Sequence, residues 1–461
     1  MSTVSHHAPT AGGHLGARRR PPDPRGSGAR RVLVALLWLG LAGSLALWWL
    51  DTPAASLRDR SEQFLAAGRI TGLVAGYLLL VQILLMSRVG FLERWVGTEL
   101  LSYWHRDLGG VLVVAVLGHA ALVLVGYASV DRVSLLTEYR IFLAEYEDMT
   151  SAVVATAILI GVGVLAIRVI RAALPYELWK VLHLASYAVL VASFGHQFAN
   201  GAQLFRPGPA RTYWLGLYLA VLACLAWGRL IAPLVLNLRH RFRVADVVDE
   251  GADIISIYLS GRRLDRAGRA GQFFRWRFLA PGCWWQALPF SLSAAAHGGW
   301  LRLTVKIVGE HTAALRGLRP DVRVWAQGPM GSFTALRRTR KRALLIAGGS
   351  GIAPIRALLE ELPPGAAVIY RASTADDVIL RHELDRLAEE RRADVWYVIG
   401  SRDDPGPRAA MSSAGLRRLV PDVARRDVYL CGPRGLVGAA LRSARAAGVP
   451  RRQIHQTLFE L

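Results

Sequence analysis

Cysteine is scarce in this chain. Cys224, Cys283 and Cys431 are the only three in 461 residues, and they form no CxxC or ferredoxin-like spacing. That pattern excludes an iron–sulfur cluster and a disulfide framework. Acidic residues are also few, 34 Asp and Glu against 56 Lys and Arg, for a net charge of +22. Such a balance ordinarily raises nucleic acid as a partner. Here the basic residues gather in the N-terminal tail, at the ends of apolar segments and through the C-terminal half, where positive-inside topology and an anionic lipid surface account for them. The partner is therefore read as membrane, with no nucleic acid. Internal repeats and an EF-hand or similar regulatory insertion are lacking too. Apolar residues are abundant instead: 53% of the chain is hydrophobic and the mean hydropathy is +0.30, more apolar than an average soluble protein.

The organisation falls into four parts. Residues 1–31, rich in Gly, Pro, Arg and His, predict a disordered basic cytoplasmic tail, with His6, His7 and His14 as members of a flexible segment rather than metal ligands. Residues 32–236 hold six apolar runs, at about 32–50, 70–87, 107–129, 150–170, 178–198 and 213–236, each near the roughly 20 residues a bilayer requires. Arg30, Arg31, Arg88, Arg94, Arg168, Arg171, Lys180, Arg239, Arg241 and Arg243 flank one set of ends, whereas Asp131, Glu138, Glu145, Glu147 and Asp148 follow the third run. Both termini are expected in the cytoplasm. Residues 237–340 turn to short alternating runs such as DIISIYLS and LRLTVKIV, which predict an antiparallel β-barrel. Residues 341–461 alternate buried strands (ALLIA, AAVIY, DVWYVIG, DVYLC) with helical stretches, predicting an α/β parallel-sheet nucleotide-binding domain. The fold class is thus a membrane protein: a six-helix transmembrane bundle, a β-barrel domain and an α/β domain.

Two histidines stand on the third run, His105 and His119, and two on the fifth, His183 and His196. A spacing of 14 residues is roughly 21 Å along a helix, with side-chain directions about 40° apart. One helix face then presents an imidazole at each of two depths. The 13-residue spacing on the fifth run leaves directions about 140° apart in an ideal helix, so a local irregularity is expected there, near Gly195. Both runs cross in the same sense, which pairs His105 with His183 and His119 with His196 in depth. Two stacked haems need this: each iron takes two axial imidazoles from facing helices. A zinc site would need all its ligands at one depth.

With these residues in hand, the chain resembles the ferric reductase and NADPH oxidase family, whose transmembrane cytochrome b domain carries paired histidines at these spacings on its third and fifth helices. The resemblance spans about residues 60–461. It implies two b-type haems on His105, His119, His183 and His196, with FAD and NADPH in the C-terminal half. LPFSLS resembles the family's flavin motif, implying contacts from Pro289, Phe290, Ser291, Leu292 and Ser293; Leu288 stands where the family places a basic residue or histidine. VKIVGEHTAAL places Val308, Gly309, His311 and Thr312 at the implied pyrophosphate turn, with GQFF (Gln272 and Phe273 among them) and GPMGSF as accompanying barrel signatures. LLIAGGSGIAPIRALLEEL is strand, glycine turn and helix, in which Gly348, Gly349, Ser350, Gly351, Ile352 and Pro354 suit close approach of a diphosphate. The CGP of Cys431, Gly432 and Pro433 completes the implied nicotinamide seat. Two basic sites are candidates for the adenosine 2′-phosphate, Arg371 with Ser373 and Ser401 with Arg402; neither segment carries, immediately at the strand end, an acidic residue of the kind that selects a free 2′-hydroxyl, although Asp403 is close.

The implied activity is electron transfer from NADPH through FAD and the haems to an external acceptor, oxygen or ferric iron. Cys431, a terminal aromatic (Phe459) over the flavin and Arg69 beside the outer haem are the implied catalytic residues. The alternative is a haem–flavin relay to a quinone or an extracytoplasmic redox partner protein; a non-redox transporter with a regulatory nucleotide domain would carry no haem.

Overall fold

The computed structural model describes residues 3–7, 25–53, 57, 59–251 and 253–458. The chain divides into two units, one of Arg30–Val89 and Leu100–Arg229, the other of Met1–Ala29, Gly90–Glu99 and Leu230–Leu461.

The first unit is helical. It contains most of α1 (Arg25–Asp51), α2 (Arg60–Leu85), α4 (Thr98–Asp131), α5 (Leu135–Glu145), α6 (Met149–Leu165), α7 (Arg168–Ala173), α8 (Tyr176–Leu184), α9 (Ser186–Asn200), α10 (Ala202–Phe205) and α11 (Pro209–Ala226); α3 (Gly90–Trp95) lies in the other unit. Among the described residues, five helical stretches are long and apolar enough to cross a membrane, or six if α5 and α6, which meet at 116°, are counted as one span. Asp148 starts α6 in a left-handed conformation. The last span passes through a π-helical turn, Trp227–Ile231, into α12 (Ala232–His240). There Gly228 approaches the chain after α2 so closely that a Cβ would sit 2.1 Å from the Ser87 carbonyl oxygen. Arg229 donates to the Met86 carbonyl from Nε (3.1 Å) and a terminal nitrogen (2.7 Å).

The second unit contains three sheets. β2 (Arg243–Gly251), β3 (Ile254–Ser260) and β6 (Leu301–Lys306) form one antiparallel sheet, and β5 (Leu288–Ser291), β4 (Phe273–Phe278) and β7 (Val324–Met330) another. Single antiparallel bridges, Arg243 to Arg323 and Leu292 to Leu303, join their ends. Alternation along FFRWRF sends Phe274, Trp276 and Phe278 into a core shared with Ile257, Leu259 and Leu303. A short helix, α13 (Glu310–Ala313), follows β6. The third sheet has the order β1–β10–β9–β8–β11–β12, from β8 (Ala343–Gly348), β9 (Ala367–Ala372), β10 (Asp394–Ile399), β11 (Asp427–Gly432), β12 (Ile454–Leu458) and β1 (Thr3–His7). Strands β8 to β12 are parallel, as the alternating strand–helix sequence predicts. Their faces are covered by α14 (Ile352–Glu361) and α15 (Arg381–Arg391) on one side and, on the other, by α16 (Pro405–Ala410), α17 (Ser413–Leu419) and α18 (Arg434–Ala446).

Two expectations are corrected. The N-terminal tail is not structureless to residue 31: Thr3–His7 add an antiparallel strand to β10, and α1 begins at Arg25. The exposed ladder of an edge strand is a template for another strand, and five residues suffice to use it. His14 lies outside the described residues. The irregularity of the fifth span lies at Ala185, between α8 and α9, not at Gly195. Gly195 is inside α9, where a Cβ would come within 2.6 Å of the Asp148 carboxylate.

Candidate functional site

The four histidines meet in the pairs their depths predict. His105 on α4 faces His183 on α8 with ring centroids 5.9 Å apart, and His119 on α4 faces His196 on α9 at 6.4 Å. The break at Ala185 rotates α9 relative to α8 and brings both histidines of the 13-residue pair toward α4. Two imidazoles on opposite sides of one iron, each nitrogen about 2 Å from the metal, would have centroids roughly 6 Å apart. Among the described residues, no group of three or more His, Cys, Asp and Glu side chains could hold a metal by itself. Each pair supplies two nitrogens, which suits an iron whose remaining ligands arrive with a porphyrin.

The surroundings of the two pairs differ. His119 Nδ1 lies 2.8 Å from the carbonyl oxygen of Gly68 on α2, an acceptor that places the proton on Nδ1 and leaves Nε2 free to ligate. The helices approach so closely that a Cβ on Gly72 would be 2.7 Å from the same Nδ1. His196 Nδ1 is 3.3 Å from Asn200 Nδ2, which also donates to the Glu147 carbonyl at 2.7 Å. At the other pair, Gln82 donates to the His105 backbone carbonyl (2.9 Å), but neither ring's Nδ1 has a hydrogen-bond partner among the described residues. His183 instead stacks on Trp179, centroids 4.8 Å apart at 13°, and Arg171 caps that indole at 4.5 Å. Between the tiers Leu112 and Val189 belong to an apolar cluster with Ala75, Leu78, Ala155 and Leu159. Arg69, exposed on α2, is one residue beyond the carbonyl that holds His119.

In the other unit the β4 ladder gathers three sequence motifs. Phe273 pairs with Ser291 and with Met330, so GQFF, LPFSLS and GPMGSF converge. Gln272 is held by Arg269 N, and its carbonyl receives Leu292 N. Phe290 is half-buried, and its carbonyl accepts from Trp276 Nε1 at 3.1 Å. Arg275 stands opposite Pro289 in the ladder, a basic side chain beside the step where Leu288 supplies none. Alternation in FFRWRF is the sequence signal that could have marked it. Ser293, expected at the flavin, is fully buried and engaged: its hydroxyl accepts from Arg302 Nε (3.0 Å) and Thr304 (2.8 Å), and its carbonyl from Arg302 and Arg356. Val308 and Gly309 N–H groups both point at Thr312 Oγ1 (2.9 and 3.3 Å), and His311 meets Trp285 edge-on at 5.4 Å.

Arg302 and Arg356 form a buried network with Glu360 and Glu383, with pairs at 2.5 to 2.8 Å. It ties β6, which carries Arg302, and the bend after β5 that holds Ser293 to helices α14 and α15. Burial works most strongly against the charge of Arg302, but the bond and charge of Glu383 together with Tyr258 outweigh it and raise its pKa; at Arg356 burial prevails and lowers it. Sequence reading missed this cluster, since residues 293, 356 and 383 share no local pattern.

The glycine turn after β8 and the CGP after β11 come together backbone to backbone. A Cβ on Gly351 would be 2.5 Å from the Cys431 carbonyl oxygen, and one on Gly348 would be 2.2 Å from Leu436. Gly349 has φ +53 with open space where a Cβ would point, and Gly432 has φ +150. The turn leads through Ser350 into α14, with Ile352 and Pro354 buried in the first turn and no side chain capping its N–H groups. Such an uncapped start over a glycine cradle fits a diphosphate. Cys431 is buried, and Pro433 precedes α18. Arg371 is turned inward: its guanidinium donates to the carbonyls of Ala372, Val398 (3.0 Å) and Gly400 (2.5 Å), and burial lowers its pKa. Ser373, Ser401 and Arg402 are exposed. Phe459 lies outside the described residues.

Helices apolar enough to cross a membrane and carrying two imidazole pairs are thus followed in the chain by antiparallel sheets and by a parallel sheet with a glycine cradle. Two family models match parts of the chain: the Ferric reductase like transmembrane component over residues 71–194, and the Oxidoreductase NAD-binding domain over residues 345–442. The chain is similar to a flavohemoprotein of Xylella fastidiosa (29% identity, 41% of this chain and 51% of that one) and to the plasma membrane-associated coenzyme Q6 reductase of Saccharomyces cerevisiae (28%, 34% and 54%). It therefore spans about half the length of these curated relatives. A solved FAD/NAD-binding domain of nitric oxide dioxygenase from Vibrio cholerae is similar at 23% identity over 48% of this chain and 98% of that one, with a TM-score of 0.40.

Proposed function

We propose that this chain is an integral membrane oxidoreductase that moves electrons from cytosolic NADPH, through FAD and two b-type haems, to an external acceptor, oxygen or a ferric chelate. Bound flavin supplies the conversion of a two-electron hydride donor to single-electron steps. The reading assigns residues 32–236 to six spans holding the haems, 237–340 to a flavin barrel and 341–461 to the nucleotide domain, with both termini cytosolic.

The observation that carries it is the meeting of four histidines in two stacked pairs. In this reading His105 with His183, and His119 with His196, are the axial ligands, and the Gly68 carbonyl holds His119 in the ligating tautomer. Leu112 and Val189 keep the layer between the pairs apolar and free of water. Phe290 and Ser291 hold the flavin ring, and Arg275 supplies the cation that Leu288 does not. Gly348, Gly349, Gly351 and Gly432 admit the dinucleotide backbone, with Ser401 and Arg402 reading its 2′-phosphate. Arg69 attracts an anionic acceptor to the His119 pair.

The test is an anaerobic optical spectrum of the purified, FAD-supplemented chain before and after NADPH. Bis-imidazole b-type bands that NADPH reduces are the expected result; absence of haem would overturn the reading, and haem reducible only by dithionite would overturn its nucleotide half. One observation favours a quinone as acceptor instead. A shallow, open apolar groove of about 620 Å³ between α1 and α2, lined by Trp48, Ala66, Ala67 and Ile70, lies beside the α2 turn that carries Gly68. Steady oxidation by a soluble quinone analogue, with no turnover on oxygen or ferric chelate, would select that reading.

A further inference from the structure

The N-terminal strand has no part in the electron path just described, yet it is built into the nucleotide domain. Thr3 to His7 pair antiparallel with Ile399 to Val395. His6 stacks on Trp396, centroids 4.7 Å apart at 15°, and its Nε2 lies 3.3 Å from an Asp394 carboxylate oxygen. The pairing ends at Ile399, one residue before the loop Gly400–Asp404 that carries Ser401 and Arg402. Beyond that loop, α16 packs against the same strand β1. Both ends of the loop therefore rest on the N-terminal segment.

From the opposite side Arg371 fixes the loop's first carbonyl, that of Gly400, and Asp404 closes it by accepting from Ser401 N at 2.7 Å. Gly400 itself, at φ +130, is a position where the backbone turns freely. Removing β1 would leave β10 an open edge and take away one of the elements packed on α16, beside α17 and β10, and Gly400 is the point about which the loop would swing.

We infer that β1 is a positioning element of the nucleotide site: the N-terminal strand sets the loop by which Ser401 and Arg402 distinguish a 2′-phosphorylated adenine dinucleotide from its unphosphorylated counterpart. This rests on the proposed reading of that loop. The segment acts through the loop and touches no ligand.

The experiment compares the full-length chain with a deletion of residues 2–7 and with Ser5→Pro, which disrupts the ladder; His6→Phe keeps a ring on Trp396 as the conservative control. Dissociation constants for NADPH and NADH, and for 2′-phospho-AMP as a probe, are measured alongside the FAD and haem spectra. Expected is a weakening for NADPH and 2′-phospho-AMP of about fivefold or more, with NADH nearly unchanged and kcat at saturating NADPH retained. His6→Phe should behave as the unmodified chain, and a peptide of residues 1–8 should restore NADPH affinity to the deletion. Equal weakening for both nucleotides, or none, would overturn the inference while leaving the proposed function intact. An unmodified chain that binds NADPH and NADH equally would instead refute the phosphate reading itself.

Discussion

The two histidine pairs are built from the same residue type, each between α4 and one half of the broken fifth span, α8 or α9, yet they are not equivalent. The His119 pair is anchored by a backbone carbonyl 51 residues away in sequence, whereas the His105 pair has stacking in its place, with Trp179 against His183. A hydrogen bond from Nδ1 makes the opposite nitrogen a stronger donor and stabilises the oxidised metal, whereas a stacked indole holds the ring's orientation without changing its basicity. If the proposed haems are held by these pairs, the difference predicts two like cofactors at different potentials.

The sharpest way to break the comparison is to remove a ligand. His105→Leu or His183→Leu should eliminate one haem per chain and leave the other, and His119→Leu or His196→Leu the converse; pyridine haemochrome content would fall by half in each case. Full retention in any of the four would exclude that histidine as a ligand. A smaller effect is expected at Gly72→Val, which crowds His119 Nδ1 and separates it from the Gly68 carbonyl. Haem affinity at that pair alone should drop by about 10- to 100-fold, and whatever is retained should titrate at a higher potential, with the other site unmoved. Spectroelectrochemical titration resolves the two. The smallest effect belongs to Trp179→Leu: loss of about 0.5–1.5 kcal/mol of ring packing should shift and broaden the transition of the His105 pair while sparing its occupancy. A shift in the His119 pair would show that the two tiers are coupled through the apolar layer around Leu112.

Much of this site was legible because its signals are local. Helical geometry turns spacings of 14 and 13 into depth, and the odd spacing required an irregularity, although only packing placed it at Ala185. Gly348, Gly349 and Gly351 were readable as a turn open to a diphosphate from the strand–turn–helix pattern, whereas the close approach of Gly351 to Cys431 and of Gly348 to Leu436 came only with the fold. Arg371 and Ser293 read as ligand contacts from their motifs, but the folded chain turns them onto carbonyls and arginines. Motif position says nothing of side-chain direction when neighbouring strands offer buried acceptors that must be satisfied.

The sequence by itself determined the membrane helices, the depth and pairing of the four histidines, the order of the two sheet-containing regions and the glycine turns, since each follows from the period of a helix or strand. The tertiary structure alone decided which imidazole receives a carbonyl, where Arg371 points, how Arg302, Arg356, Glu360 and Glu383 meet, and that five N-terminal residues complete the nucleotide sheet. Those outcomes depend on contacts between residues tens to hundreds of positions apart, which no local periodicity encodes.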